Sequence, residues 1–242
     1  MSKVISVTSG KGGVGKSSFS CLLGRALAAK GKATVILELD CGLRGLDIML
    51  GVSDSVYDFN DILHGRCSIK DAVNYVPDCK NLSLINAPSQ FERFPTKEEV
   101  SAICSALKTK YDFVIIDTTA GYGLTDALAT VSDTILLLVT PDPICVRDAA
   151  IVAAVLRKNK AAELRLIINK VSKEALKKDM VPDLDAVIDG VGVQLLGVVK
   201  DQQDIWYSTA KGLPLSTGSL SERTFQAIAK RLTGEHTPLV VQ

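Results

Sequence analysis

The sequence predicts a three-layer α/β/α sandwich built around one mostly parallel sheet of seven or eight strands. Three observations predict it. Short β-branched runs alternate with longer helical patterns along the 242 residues. Most of those runs are apolar throughout rather than alternating, the pattern of strands buried on both faces. Aromatic residues make up only 5% of the chain against 47% hydrophobic, so the core is aliphatic and alanine-rich, which suits helices laid on a parallel sheet.

The elements follow in order. Residues 3–8 (KVISVT) read as the first strand, and 16–30 as a helix that closes on Gly31 in the position of a C-terminal cap. Residues 33–39 (ATVILEL) form the second strand. Residues 40–80 hold short helical pieces and turn residues, too long for a simple loop, and are expected to cover the ligand. Strands are expected at 82–86 (LSLIN), 113–117 (FVIID), 134–140 (TILLLVT), 164–169 (LRLIIN) and 195–199 (LLGVV). Helices are expected at 97–110 behind the N-cap Thr96, at 144–158, at 202–210 and at 221–232. Strand, helix, strand in succession implies right-handed crossovers. No Gly/Ser/Pro-rich linker, repeat or low-complexity run interrupts the chain, so residues 1–234 are expected to be a single domain followed by a short tail, 235–242.

The formal charge of +1 gives no global pull toward nucleic acid or anionic lipid. Six cysteines lie scattered with no C-x-x-C pair, several in apolar stretches, and read as reduced thiols used as small hydrophobes. The N-terminus runs straight into a strand, and no apolar run approaches the roughly 20 residues that span a bilayer. A cytoplasmic protein is expected.

The most informative stretch is Gly10-Lys11-Gly12-Gly13-Val14-Gly15-Lys16-Ser17, which matches G-x-x-x-x-G-K-[ST] between a strand and a helix. Glycines let the backbone curl until successive N–H groups face a phosphate chain, and the helix N-terminus adds positive potential. Lys16 would neutralise the β/γ oxygens and Ser17 would ligate Mg²⁺. The loop with the following Ser18 is the expected site for ATP, and the layered sandwich is expected to be a P-loop NTPase fold. Asp117 and Asp40 each close a strand on the side where parallel sheets bind ligands. Asp117 is the candidate metal-binding carboxylate, and Asp40 a second ligand-facing one.

Lys11, a second lysine inside the turn, makes the loop K-G-G-x-G-K-[ST]. The sequence here resembles the deviant Walker A ATPases, the MinD/ParA family. Within that family Glu38-Leu39-Asp40-Cys41-Gly42-Leu43-Arg44-Gly45-Leu46-Asp47 is similar to the switch I segment of the MinD branch, D-x-D-x-G-L-R-N-L-D. The likeness continues through Tyr57-Asp58-Phe59, Ile62-Leu63-His64-Gly65, residues 82–90 and Val146-Arg147-Asp148, to about residue 234.

The resemblance implies that Lys11 crosses the interface of an ATP-bound homodimer to touch the partner's phosphates. It implies that Asp40 positions or activates the attacking water, making Lys11, Lys16 and Asp40 the catalytic set. It also implies that Asn169 contacts the adenine and that backbone near Lys200 and Asp201 closes the adenine pocket. A slow, Mg-dependent ATPase follows, acting as a spatial-regulation switch read by a protein regulator through residues 40–51 and 117–127.

Four departures stand out. Glu38 replaces an aspartate, which puts the surroundings of the Mg²⁺ in question. Thr118-Thr119-Ala120-Gly121 replaces Ser-Pro-Ala-Gly, and Lys200 replaces a proline. The tail after Leu232 carries Gly234 and Pro238 and no lysine or arginine where the branch has an amphipathic membrane helix. A peripheral membrane position is therefore left open. The alternative on the same scaffold is a ParA-like partition ATPase that binds DNA non-specifically, for which Arg157, Lys158, Lys160, Arg165, Lys170, Lys173, Lys177 and Lys178 would supply charge; a charge run is more often a solvated face. A cluster-inserting ATPase would need a close cysteine pair, which the sequence lacks.

Overall fold

A computed structural model describes residues 2–41, 45–53, 55–121, 125–158, 163–177 and 183–239. Eight strands form one sheet, in the order β3-β4-β2-β5-β1-β6-β7-β8. They are β1 (Lys3–Thr8), β2 (Thr34–Glu38), β3 (Asn74–Tyr75), β4 (Leu82–Ile85), β5 (Phe113–Asp117), β6 (Thr134–Val139), β7 (Glu163–Val171) and β8 (Leu195–Lys200). Every pairing is parallel except the two-residue edge strand β3, which runs antiparallel to β4. The seven expected strands are all present within a residue or two at most ends. The eighth, β3, is too short to carry a sequence pattern.

Ten helices cover the sheet among the described residues: α1 (Lys16–Ala29), α2 (Leu46–Leu50), α3 (Phe59–Leu63), α4 (Lys97–Leu107), α5 (Thr125–Val131), α6 (Pro143–Lys158), α7 (Lys173–Lys177), α8 (Leu184–Val191), α9 (Gln203–Lys211) and α10 (Leu220–Leu232). Thr96 caps α4 as expected, in a reciprocal capping box with Glu99. Residues 40–80, the stretch expected to cover the ligand, hold α2, α3 and β3 among the described residues. Its central signature, residues 42–44, lies outside the described residues, as do Lys160, Lys178 and the last three residues of the tail.

Strand periodicity sorts the core. Ile5, Val7, Ile36 and Ile115 pack on one face with α1 and α10, whereas Val4, Val35, Leu37, Val114 and Ile116 pack on the other with α4. Side chains of one register row therefore share a face. Glu38 pairs with Asp117, and Asp117 with Val7, so both carboxylates point to the α1 side at the carboxyl end of the sheet.

The chain steps from β1 outward through β2 to β3 and β4, returns to β5 between β2 and β1, then crosses to β6, β7 and β8 on the other side. The loop after β1 sits at that reversal, the place where open α/β sheets hold ligands.

Candidate functional site

The turn between β1 and α1 has the conformation that its glycines allow. Gly13 and Gly15 have φ of 77° and 92°, in the left-handed region that a β-carbon disfavours. At Gly15 a β-carbon would also stand 2.7 Å from Asn169 Nδ2, and at Gly10 one would meet the Asp148 main chain at 2.6 Å. Among the described residues no acceptor takes the loop's main-chain N–H groups from Lys11 to Lys16.

Lys16 is buried at 6% exposure. Its positive charge draws down the carboxyl pKa of both Asp40 and Asp117. Burial is the larger influence on half-buried Asp40 and leaves its carboxyl above the ordinary value.

Asp117 is fully buried, and burial pushes its carboxyl up to about 7 against the pull of the Ser17 and Ser20 hydroxyls. Ser20 Oγ donates to Asp117 Oδ1 at 2.8 Å, while Oδ2 has no hydrogen-bond partner. A buried, orphaned carboxylate oxygen beside a serine hydroxyl at the head of the phosphate loop is a hard-oxygen donor set. It fits Mg²⁺ shared with phosphate oxygens.

Glu38 has a different task from the one its position suggested. Its Oε1 accepts from the main-chain N–H of Gly45 and of Leu46, each at 3.1 Å, and Oε2 from that of Ala87 at 3.2 Å. The carboxylate is occupied as a clamp between β2, the start of α2 and the segment after β4. The longer glutamate reaches these amides, which is how the departure from aspartate is accommodated.

Lys11 Nζ lies 3.5 Å from Asp142 Oδ1 in this single chain. Asp142 also accepts from Cys145 N at 2.9 Å and from Thr140 Oγ1 at 2.6 Å, so it caps α6 just before Pro143. Asn169 Nδ2 donates to the carbonyl of Val14 at 2.8 Å, and Asp201 N to the carbonyl of Val171 at 3.1 Å. Ser18 borders α2, with its hydroxyl 4.0 Å from Met49 Sδ.

The structure brings Lys16, Ser17, Asp40, Asp117 and Asn169 to the surroundings of one loop. Sequence reasoning missed Ser20, Asp142 and Lys170. A serine one helical turn after Ser17 and an aspartate before Pro143 were visible signals. Lys170, whose Nζ donates to the Gly13 carbonyl at 2.8 Å, gave none.

Three of the six described members of the basic run are engaged internally. Arg157 donates to the Gly192 carbonyl, Arg165 pairs with Glu163 and Gln194, and Lys170 holds Gly13. The described part of the tail folds back: Lys30 Nζ meets Glu235 at 2.6 Å, and Arg231 Nε donates to Thr237 O at 2.8 Å. Among the described residues no helix is long and apolar enough to cross a membrane. All six cysteines are free thiols.

Residues 5–215 match the family profile described as the CobQ/CobB/MinD/ParA nucleotide binding domain. The septum site-determining protein MinD of Synechocystis sp. is 35% identical over 247 aligned positions, covering 99% of this chain and 92% of that protein. The MinC:MinD cell division protein complex of Aquifex aeolicus superposes with a TM-score of 0.91 at 28% identity, over 98% of both chains. The Pyrococcus horikoshii septum site-determining protein MinD complexed with Mg-ADP superposes with a TM-score of 0.85 at 26% identity, over 96% of both chains.

Proposed function

This chain belongs to the CobQ/CobB/MinD/ParA nucleotide-binding family, and from that premise we propose that it is a MinD-like ATP-hydrolysing switch for spatial regulation. Its ligand is Mg-ATP, and ATP brings two copies together. The observation that carries the reading is the phosphate loop itself, with free amides, a buried Lys16 and the two carboxylates Asp40 and Asp117 that feel that lysine's charge.

Glycine-loop amides and Lys16 would bind the β- and γ-phosphates, and their fixed positive potential would stabilise charge as it builds on the γ-phosphoryl oxygens. Ser17 and Asp117 would hold Mg²⁺, which supplies charge neutralisation to the phosphate chain. Asp40 would orient the attacking water, its half-buried carboxylate serving as acceptor for the water's proton. Lys11 would leave Asp142 and reach the partner copy's phosphates. Asn169 and the main chain near Asp201 would border the adenine.

The dimer is proposed to be read by a protein regulator of the kind named with the Aquifex relative, through α2 and the segment after Asp117. Residues 1–234 would act as one domain in this cycle. The engaged arginines of the basic run favour this reading over a DNA-binding partition ATPase.

Size-exclusion chromatography with light scattering tests the proposal, run with Mg-ADP and Mg-ATP on wild type and Asp40→Ala. A dimer formed only with ATP and held by Asp40→Ala supports it. A monomer under every condition overturns the role given to Lys11. Salt-sensitive binding to random DNA in the ATP state would move the assignment to the partition class.

A further inference from the structure

We propose that Asn169 and Lys170 brace the phosphate loop in its ligand-ready shape before nucleotide arrives, and that Lys170 acts only through that loop, as a positioning residue. The inference deepens the nucleotide-binding reading of the site and rests on it.

Two consecutive side chains of β7 take two consecutive carbonyls of the loop. Asn169 Nδ2 donates to Val14 O and Lys170 Nζ to Gly13 O, each at 2.8 Å. In a trans peptide the C=O of one residue and the N–H of the next point in opposite directions, and no peptide bond here is cis. Turning the Gly13 and Val14 carbonyls toward β7 therefore turns the N–H groups of Val14 and Gly15 the other way. Those are amides that a phosphate needs, and they have no acceptor among the described residues. The brace sets their direction without touching the ligand.

The backbone is bent to make this possible. Ile168 pairs with Val198 and Val171 with Lys200, so β7 carries one residue more than β8 between those pairs. That extra residue is a β-bulge, a device that re-aims side chains at a sheet's rim. Lys170 sits in it with φ 54°, the only non-glycine among the described residues with positive φ. A β-carbon disfavours that conformation, so something must hold it, and the Nζ–Gly13 bond is the contact that does.

The fit is mutual. Gly15 has no room for a β-carbon, because the Asn169 amide lies 2.7 Å from where one would be, and its φ of 92° is one that a β-carbon disfavours. Preorganising a phosphate cradle in this way lowers the ordering cost that binding would otherwise carry.

The test combines NMR relaxation on nucleotide-free protein with titrations of Mg-ATP and Mg-ADP, for wild type, Lys170→Met and Lys170→Arg. Lys170→Gly is included because glycine suits the left-handed backbone and keeps the chain folded if methionine does not. Removing the ammonium should mobilise the Val14 and Gly15 amides on the ps–ns scale. It should also weaken ATP and ADP by the same factor, about tenfold, the size of one charge-assisted hydrogen bond. Lys170→Arg should recover part of both.

Loop amides as rigid in Lys170→Met and Lys170→Gly as in wild type overturn the brace. So does weakened binding with an unmoved loop, because Lys170 would then be touching nucleotide directly. If wild type takes up no Mg-ATP while the variants still loosen the loop, the nucleotide reading fails and the brace stands.

Discussion

Glu38 and Asp117 stand opposite each other on β2 and β5, both buried, with their carboxyls on the same face of the sheet. Burial holds both above the ordinary carboxylate range; the charge of Glu38 adds to that rise at Asp117, and the charge of Asp47 adds to it at Glu38. They divide the work. Glu38 is satisfied by three main-chain amides, whereas Asp117 keeps one oxygen without a partner. One carboxylate fastens the segment that leads into α2; the other is left available to a cation.

Removing the clamp should be costly. Glu38→Ala leaves the amides of Gly45, Leu46 and Ala87 without their acceptor, and a loss of about 3 kcal/mol in urea unfolding is expected. Glu38→Gln keeps one carbonyl acceptor and should lose about half as much. A loss below roughly 0.5 kcal/mol for Glu38→Ala would mean that the carboxylate does not hold the segment.

The nucleotide-free protein should become less stable as pH rises. Asp117 titrates at about 7 in the fold against 3.8 as a free side chain, so the folded state holds its proton more tightly. The stability this contributes is fully present below about pH 4 and is lost as pH rises through about 7. Melting temperature without Mg²⁺ or nucleotide should fall by several degrees between pH 5.5 and 8, and Asp117→Asn should flatten that slope. An unchanged slope in the variant would place the titrating group elsewhere.

Gly15→Ala should abolish nucleotide binding with little loss of overall stability. The new methyl is strained by φ 92° and collides with the Asn169 amide, so either the loop changes shape or Asn169 leaves the Val14 carbonyl. Calorimetry with Mg-ATP should give at least about a 100-fold weaker affinity, while the melting temperature shifts by only a few degrees. Wild-type affinity in this variant would show that the loop tolerates a different shape.

Lys11 and Asp142 should behave unequally. Lys11→Ala is expected to remove ATP-dependent dimerisation altogether. The ion pair that holds Lys11 within one chain is partly exposed and is worth at most about 1 kcal/mol. Two such pairs are released per dimer, so Asp142→Asn should tighten the ATP-dependent dimer by no more than about thirtyfold, read by analytical ultracentrifugation. A larger change would mean that Asp142 acts in the dimer itself rather than on the single chain.

Much of this protein was fixed by local chemistry and so was readable along the chain. The apolar β-branched strands, the Thr96 capping box and the glycine loop between β1 and α1 each depend on neighbours a few residues away, as does the strand-end position of Asp117. Tertiary structure decided what lies far apart in sequence. The antiparallel β3 forms only because β4 offers it an edge, and Glu38 finds the Ala87 amide only once β2 and β4 pair. Lys170 reaches Gly13 across 157 positions through a one-residue bulge that no periodicity records. Direction of a side chain at the rim of a sheet is set by packing and register, which the folded chain alone supplies.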